Sequence, residues 1–299
     1  MVIGATLHHV HLSSPQPGAL ARFYAKAFGF EAQQQGSEWV CRTAGRRIVF
    51  SDGPAHRIKH IAFAFSDAAA LAVYRARVGD GEAAPASALT GAGAMSFSDP
   101  DGNRIVFITA DAVGADAATS AAAVAANPAS SNINPASSNI NTPQATLPPA
   151  ASQHLALRTT QPDALLAFYQ ERLDFKLSDR VEDEQGTLRA CFLRTDAMHH
   201  AVALFRSPET RFDHQSFETT GWPAMRDWAD HMGDQHVPIV WGIGRHGPGN
   251  DTFFMVQDPD GNLAEISCDL EVCEDGHKPG VWPHAQHTLN LWGNAIMRS

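Results

Sequence analysis

HLALRTTQPDALLAFY, the stretch from His154 to Tyr169, restates HVHLSSPQPGALARFY, the stretch from His9 to Tyr24. In both stretches the tyrosine follows the histidine by the same interval, and a Gln-Pro pair stands at the same place between them. A match of this length within one chain indicates a duplicated structural unit.

The similarity continues through both halves of the chain. KHIAFAFSDAAALAVYRA from Lys59 aligns with DHQSFETTGWPAMRDWAD from Asp213, and the closing segments both contain DPDGN, a tight-turn sequence in which glycine supplies a positive φ. Apolar spacing after a Pro-Asp turn predicts a helix through Ala164, Leu165, Ala167, Phe168 and Leu173. We therefore predict an α+β fold of paired βαβββ units in two tandem domains.

A low-complexity segment separates the two halves. It consists largely of Ala, Ser, Asn and Pro, and it contains NPASSNI twice, from Asn127 and again from Asn134. Such a composition has almost nothing to bury, so it predicts a disordered linker. We place the first domain at residues 1–111, the linker at 112–151 and the second domain with its tail at 152–299.

Composition narrows the function classes. The net charge of -10 argues against nonspecific nucleic-acid binding, which requires clustered Lys and Arg. No apolar run approaches the length of a membrane span, and MVIGATLHHVHL lacks the pattern of a secretory signal. We expect a cytoplasmic protein with no membrane partner, in which the four scattered cysteines are reduced structural thiols.

Three residues of the second half form a candidate metal set. His154, His214 and Glu265 each lie in a strand-like run, and two imidazoles with one carboxylate are the donors that hold Fe(II) while leaving three octahedral positions open. A single strand histidine is more often structural, so the prediction rests on the set. In the first half His9 and His60 align with the histidines, but Val106 replaces the glutamate, which predicts an empty or weak site there.

The duplicated pattern resembles the vicinal oxygen chelate superfamily, also called the glyoxalase-like fold. In the second half, QHLALRT, MHHAVALF, DHQSFE, GRHGPGNDTFF and DPDGNLAEIS are similar to the type I extradiol dioxygenases, which include the 2,3-dihydroxybiphenyl and homoprotocatechuate enzymes. The resemblance implies a funnel-like sheet with His154, His214 and Glu265 as the metal ligands inside it. It also implies that His200 is the acid/base and His246 a further catalytic histidine, although His199 could point inward instead of His200.

One position departs from the family pattern. Ten residues before the ligand glutamate these enzymes commonly carry a tyrosine whose hydroxyl faces the substrate, and this chain has Met255. We expect Phe192, Phe254 and Met255 to line an apolar pocket for the substrate ring. Asn250 and Asp251 are interpreted as turn residues. The tail residues are interpreted as packing over the domain or as a lid: Trp282, His284, His287 and Trp292.

The resemblance implies an oxidoreductase of aromatic-compound catabolism that inserts both atoms of O2 into a catechol-type ring and yields a yellow product. Fe(II) is the expected cofactor and Mn(II) also fits the donor set. We expect a homo-oligomer, since the family often forms tetramers or larger assemblies. Two alternatives stay open: a glyoxalase-like metal-dependent isomerase or lyase, and a non-catalytic small-molecule binding protein. The particular dihydroxyaromatic is left open by the sequence.

Overall fold

The computed structural model describes residues 1–91, 93–110 and 147–298. The predicted disordered linker falls mostly outside the described residues. The strand that opens the second half begins at Ala150, two residues before the boundary set from the sequence, so Ala150 and Ala151 belong to that strand.

The first half contains two βαβββ units in succession. The first is built from β1 (Thr6–Ser14), α1 (Pro17–Phe28), β2 (Glu31–Gln35), β3 (Glu38–Thr43) and β4 (Arg46–Asp52). The second is built from β5 (Arg57–Phe65), α2 (Ala68–Val78), β6 (Glu82–Ala83), β7 (Met95–Ser98) and β8 (Arg104–Thr109).

The second half repeats this order and adds a tail. Its first unit has β9 (Ala150–Thr159), α3 (Pro162–Ala167) continuing as a π-helical turn (Phe168–Arg172), β10 (Lys176–Glu182), β11 (Leu188–Arg194) and β12 (Val202–Arg206). Its second unit has β13 (Arg211–Thr219), α4 (Trp222–Asp234), β14 (Ile239–Arg245), β15 (Thr252–Gln257) and β16 (Leu263–Cys268). The tail carries β17 (Gly280–Pro283) and α5 (Gln286–Leu289).

The two sheets have the same strand arrangement. The first runs β2-β3-β4-β1-β5-β8-β7-β6, and the second runs β14-β15-β16-β13-β9-β12-β11-β10-β17. In each sheet the opening strands of the two units pair antiparallel at the centre. The register is also shared, because His9 is opposite Ala62 just as His154 is opposite Ser216. The prediction of paired βαβββ units in two tandem domains is confirmed.

The closing DPDGN turns adopt the predicted backbone. Gly102 has φ 84° and Gly261 has φ 82°, in the left-handed region that glycine enters at little cost. In the second turn the Asp258 carboxylate accepts from the backbone N–H of Asn262 at 2.9 Å and from its side chain at 3.0 Å. These bonds return the chain into β16, the strand that carries Glu265.

One apolar core joins the two halves. Phe28 of α1 packs against Phe217 of β13 with ring centroids 5.3 Å apart and against Trp228 of α4 with ring centroids 6.3 Å apart. The hydroxyl of Tyr74 in the first half donates to the carbonyl of Leu173 in the second at 2.9 Å. Burying each large aromatic side chain contributes about 1.5–3 kcal/mol, so the interface is integral to the fold.

Two further expectations can be compared with the structure. The four cysteines are free and buried, as predicted. No helix within the described ranges has both the length and the apolar character that a membrane span needs.

Candidate metal centre and pocket

The candidate ligands lie on three neighbouring strands of the second sheet. His154 on β9 is opposite Ser216 on β13, and Ser216 is beside Glu265 on β16. His214 is two residues before Ser216, so the pleat directs both to one face. The register therefore brings two imidazoles and one carboxylate together on that face, although more than one hundred residues separate the first from the last.

The distances between the ligand atoms suit a metal ion. His154 Nε2 is 3.3 Å from His214 Nε2 and 3.4 Å from Glu265 Oε1. A metal about 2.1 Å from two neighbouring octahedral ligands holds them roughly 3.0 Å apart, so little movement would be needed. Both oxygens of Glu265 are buried without a hydrogen-bond partner. Within the described ranges, His154, His214 and Glu265 are the one such group that could hold a metal.

Hydrogen bonds at the far side of each imidazole direct its other nitrogen inward. His214 Nδ1 donates to Asp213 Oδ1 at 2.7 Å, and His154 Nδ1 donates to the side-chain oxygen of Gln153. With the proton on Nδ1, each Nε2 keeps the lone pair that a metal requires. Gln153 in turn donates to the backbone carbonyl of His200 at 2.7 Å.

Asp213 is the most heavily paired carboxylate around the centre. Its oxygens accept from Arg158 at 2.6 Å and from Arg298 at 2.9 Å and 3.2 Å. Burial pushes the pKa of Asp213 upward, but Arg298 and His214 outweigh burial and hold it well below its usual range. Asp213 is thus a permanent carboxylate that orients His214.

The candidate ligands His154 and Glu265 are in the protonation states that metal binding needs. Burial lowers the pKa of His154 to about 3, so its imidazole is neutral at pH 7. For Glu265, burial acts to raise the pKa, but the neighbouring His246, His154 and His214 outweigh burial and lower it to about 2. Two imidazoles that bind through Nε2 and one carboxylate would give the centre a donor charge of minus one.

His200 and His246 flank the centre. The His200 ring is 4.3 Å from that of His154, and it faces the pocket, whereas His199 faces Asp179. Of these two neighbouring histidines, His200 is therefore the one that points into the pocket. Burial lowers the pKa of His200 well below its usual range.

His246 is held on two sides. Its Nδ1 donates to the carbonyl of Leu289 at 2.5 Å, its Nε2 is 3.7 Å from Glu265 Oε2, and its ring stacks on Phe253 at 3.8 Å. Burial acts to lower the pKa of His246, but Asp251 and Glu265 raise it overall. Asp251 is itself fully buried with both carboxyl oxygens unpartnered, and burial raises its pKa to about 7. The turn interpretation did not anticipate this burial.

A mostly apolar pocket, with about 380 Å³ of space when its open mouth is included, lies against the histidines. Its walls include Phe192 and Met255. The expectation for Phe254 is corrected: it packs in the main core, because strand alternation sends it to the opposite face from Met255. Sequence reasoning missed several other lining residues: Ala203, Phe205, Trp241, Pro248, Leu289 and Arg298.

The C-terminal tail forms part of the pocket wall. Leu289 and Arg298 line it, and β17 extends the sheet beside β10. Trp282 is partly buried against an apolar cluster that includes Phe192 and Leu289. Trp292 is 54% exposed, so only some of the tail residues pack against the domain and the pocket.

The equivalent place in the first half is closed. His9 Nε2 and His60 Nε2 share a hydrogen bond of 2.8 Å, and Val106 packs in an apolar cluster with Ala62, the residue opposite His9. Where the second half has its pocket, Leu89 packs with Val40 and Val49. The two imidazoles are satisfied by each other, and no carboxylate replaces Glu265.

Sequence comparison matches both halves of the chain to one protein family. The profile of the Glyoxalase/Bleomycin resistance protein/Dioxygenase superfamily matches residues 6–107 and 151–266. Metapyrocatechase 2 of Cupriavidus necator is 30% identical over 149 residues, 48% of this chain and 45% of that protein. Metapyrocatechase of Pseudomonas sp. (strain CF600) is 32% identical over 130 residues, 43% of this chain and 42% of that protein. The matched segments thus span less than half of each relative.

Structural comparison covers nearly the whole chain. The Mn(II)-bound glyoxalase from Novosphingobium aromaticivorans superposes with a TM-score of 0.75 at 22% identity, covering 98% of this chain and 93% of that one. Homoprotocatechuate 2,3-dioxygenase from Arthrobacter globiformis superposes with a TM-score of 0.70 at 18% identity, covering 98% and 88%. At these identities the structures establish the shared fold.

Proposed function

The chain belongs to the Glyoxalase/Bleomycin resistance protein/Dioxygenase superfamily, and we propose that it is an extradiol ring-cleaving dioxygenase. It would insert both atoms of O2 into a catechol-type dihydroxyaromatic at a single Fe(II). The observation that carries the proposal is a complete set of His154, His214 and Glu265 facing a pocket flanked by His200 and His246. The names of the metapyrocatechase relatives support the same chemistry.

The donor set supports iron chemistry with a catechol. When bound, Fe(II) would supply the open coordination positions at which both substrates meet and the path for electrons between them. The donor charge of minus one from Glu265 leaves one positive charge uncompensated, which favours a catechol bound as a monoanion. Asp213 and Gln153 keep the two imidazoles oriented, so binding needs little rearrangement.

The flanking histidines are suited to move the substrate protons. Since His246 Nδ1 donates to Leu289, the neutral ring has its lone pair on Nε2, and the raised pKa makes that nitrogen a stronger base toward the proton of a substrate hydroxyl. His200 lines the same pocket and is neutral, so it can hydrogen bond to a bound oxygen and then exchange a proton with it. Phe253 keeps the His246 ring in one plane by stacking on it.

The pocket walls indicate which ring substituents fit. Phe192, Trp241 and Met255 present apolar surface, and Met255 offers no hydroxyl to the substrate. Arg298 lines the pocket, but its charge is paired with Asp213. We therefore expect catechols with apolar substituents to be used better than catechols with a carboxylate side chain.

The proposal is tested by loading the metal-free protein anaerobically with Fe(II) or Mn(II) and then supplying O2 with catechol or 3-methylcatechol. We expect O2 uptake and a yellow product with Fe(II), and loss of both in Glu265→Ala. O2 uptake that persists in Glu265→Ala, or none with any catechol, would overturn it. Homo-oligomeric assembly and a cytoplasmic location stay predictions from the sequence.

A metal-dependent isomerase is the second candidate, since the Mn(II)-bound glyoxalase shares the fold over nearly the whole chain. One observation argues against an isomerase. In the first half the two histidines bond to each other and Val106 lies in an apolar cluster, so the candidate metal donors come from the second half alone. Isomerase activity with Mn(II), Ni(II) or Zn(II) in the absence of O2, together with no activity toward catechols, would favour this candidate.

A further inference from the structure

Two neighbouring histidines contact each other behind the pocket. His199 Nδ1 and His200 Nδ1 are 3.0 Å apart, and both residues are buried. A contact of this length between two ring nitrogens requires that one carries the proton and the other accepts it. Which nitrogen donates is decided by what faces the far side of His199.

Asp179 faces that far side. His199 Nε2 is 3.2 Å from Asp179 Oδ2, an ion-pair distance with imperfect hydrogen-bond alignment. The same carboxylate accepts from the backbone N–H of Gly280 at 2.7 Å and from Trp282 Nε1 at 2.7 Å. Burial acts to raise the pKa of Asp179, but His199, Trp282 and Gly280 lower it overall, so Asp179 has no proton to donate.

The positions of the protons follow from these contacts. A nitrogen lone pair facing a carboxylate would be repelled, so His199 Nε2 carries a proton. With its single proton on Nε2, His199 has an acceptor at Nδ1, and His200 Nδ1 is the donor to it. This leaves the lone pair of His200 on Nε2, on the side of the ring away from His199.

We infer that Asp179 and His199 are positioning residues that fix the proton of His200 on Nδ1 and make its Nε2 a proton acceptor toward the pocket. The inference rests on the proposed function, in which a catechol hydroxyl or a bound oxygen is the partner of Nε2. His200 first accepts from that partner, and it donates from Nε2 only after it has accepted.

The surrounding loop keeps both rings in place. Gly249 has φ 82°, and a Cβ there would be 3.1 Å from His199 Nδ1 and 3.3 Å from His200 Cε1. The backbone N–H of His199 donates to Glu271 at 2.8 Å, and that of Glu271 donates to Gly249 at 2.8 Å. His277 lies further away, with its ring centroid 6.4 Å from that of His199 and its Nε2 bonded to a carbonyl. The ring orientations are therefore set by packing as well as by hydrogen bonds.

Asp179→Asn, made throughout in the Trp282→Phe background, is the informative substitution. Without the indole N–H, the amide nitrogen can take the place of Oδ2 and present its N–H groups to His199 Nε2, while the amide oxygen takes the place of Oδ1 and still accepts from Gly280. His199 would then carry its proton on Nδ1 and donate to His200 Nδ1, which moves the His200 proton to Nε2. Trp282→Phe is the matched control: it removes one donor to Asp179 and loosens the same contact with the tail, but it leaves the carboxylate. Asp183→Asn is a second control, because it removes a carboxylate whose partners are Gln185, Thr187 and Arg189.

The test uses two readouts. In zinc-loaded protein with 15N-labelled histidine, with His200 assigned by comparison with His200→Gln, we expect an unprotonated Nε2 in the wild type and Trp282→Phe, and a protonated Nε2 in Asp179→Asn. In iron-loaded protein we expect Asp179→Asn to lower kcat by about 10²–10³-fold with little change in KM, and both controls to stay within about threefold.

A protonated His200 Nε2 in the wild type would overturn the inference, as would an Asp179→Asn protein with unchanged nitrogen shifts and unchanged kcat. The nitrogen shifts are measured without substrate. If the iron-loaded wild type cleaved no catechol, the proposed function would fail while the shifts would still decide the positions of the protons.

Discussion

Asp213→Asn should weaken metal binding without removing any ligand. The Asp213 side chain is 1% exposed, and it accepts from His214, Arg158 and Arg298 at 2.6–2.9 Å. Asparagine keeps its shape, and its carbonyl can still accept from His214 Nδ1. The change removes the negative charge that orients His214 and balances two arginines.

The expected magnitude follows from these contacts. Replacing a residue that orients a metal-bound histidine typically costs 10–100-fold in affinity, or about 1.4–2.7 kcal/mol. The buried guanidinium of Arg298 keeps an acceptor at Oδ1 but loses the negative charge that balances it, and breaking such an ion pair costs about 3 kcal/mol of folding stability. Arg158 is less affected, because it is partly exposed and is 3.7 Å from Glu209.

The assay is anaerobic competition between the protein and a chelator of known affinity for Fe(II), with urea unfolding of the metal-free protein measured in parallel. Arg298→Met is the matched control, since it leaves Asp213 charged and paired with Arg158, so its affinity should fall less than that of Asp213→Asn. Wild-type affinity in folded Asp213→Asn, or a larger loss in Arg298→Met, would refute this reasoning.

Further predictions concern pH, pocket size, the closed half and the core. Burial raises the pKa of Glu218 to about 8. From pH 4.5 to 8 the unfolded chain therefore releases a proton that the folded chain keeps, and the contribution of Glu218 to the free energy of unfolding falls as pH rises. Relative to the wild type, the free energy of unfolding of Glu218→Gln should rise across that window by at most about 1.4 kcal/mol per pH unit, measured by urea unfolding. A difference between the two proteins that does not change with pH would contradict this prediction. Trp241→Ala should enlarge the pocket and improve kcat/KM for a phenyl-substituted catechol relative to catechol by about tenfold, and an unchanged ratio would count against Trp241 as a wall. Val106→Glu buries a charge in an apolar cluster, so urea unfolding should show a loss of about 3 kcal/mol while metal analysis still finds one ion per chain; a second ion would contradict the closed site. Phe28→Ala should cost about 3–5 kcal/mol and leave a single thermal transition, because its core spans both halves; two separated transitions would oppose that view.

The internal repeat explains why so much of the fold was predictable. Matching His9 with His154 sets the register of two sheets at once, and the structure pairs the equivalent strands in the same order. The DPDGN turns impose a positive φ that their glycines supply. Once the register was known, the ligand strands had to be neighbours, which brought His154, His214 and Glu265 together.

The rest of the site depends on contacts that no local pattern encodes. Phe254 was assigned to the pocket because it is next to Met255, but neighbouring strand residues point to opposite faces, which reverses that assignment. Arg298 reaches Asp213 only because the tail folds back over the sheet. The contact of Asp179 with His199 likewise depends on how β10 and a distant loop approach each other.

Product analysis of the iron-loaded protein tests the central claim most directly. With catechol and O2, ring cleavage next to the two hydroxyls predicts one O2 consumed per catechol and a product with the mass of catechol plus two oxygen atoms. Glu265→Ala, loaded in the same way, should form none. Catechol recovered unchanged from the iron-loaded wild type, or oxidised without incorporation of oxygen, would contradict the account.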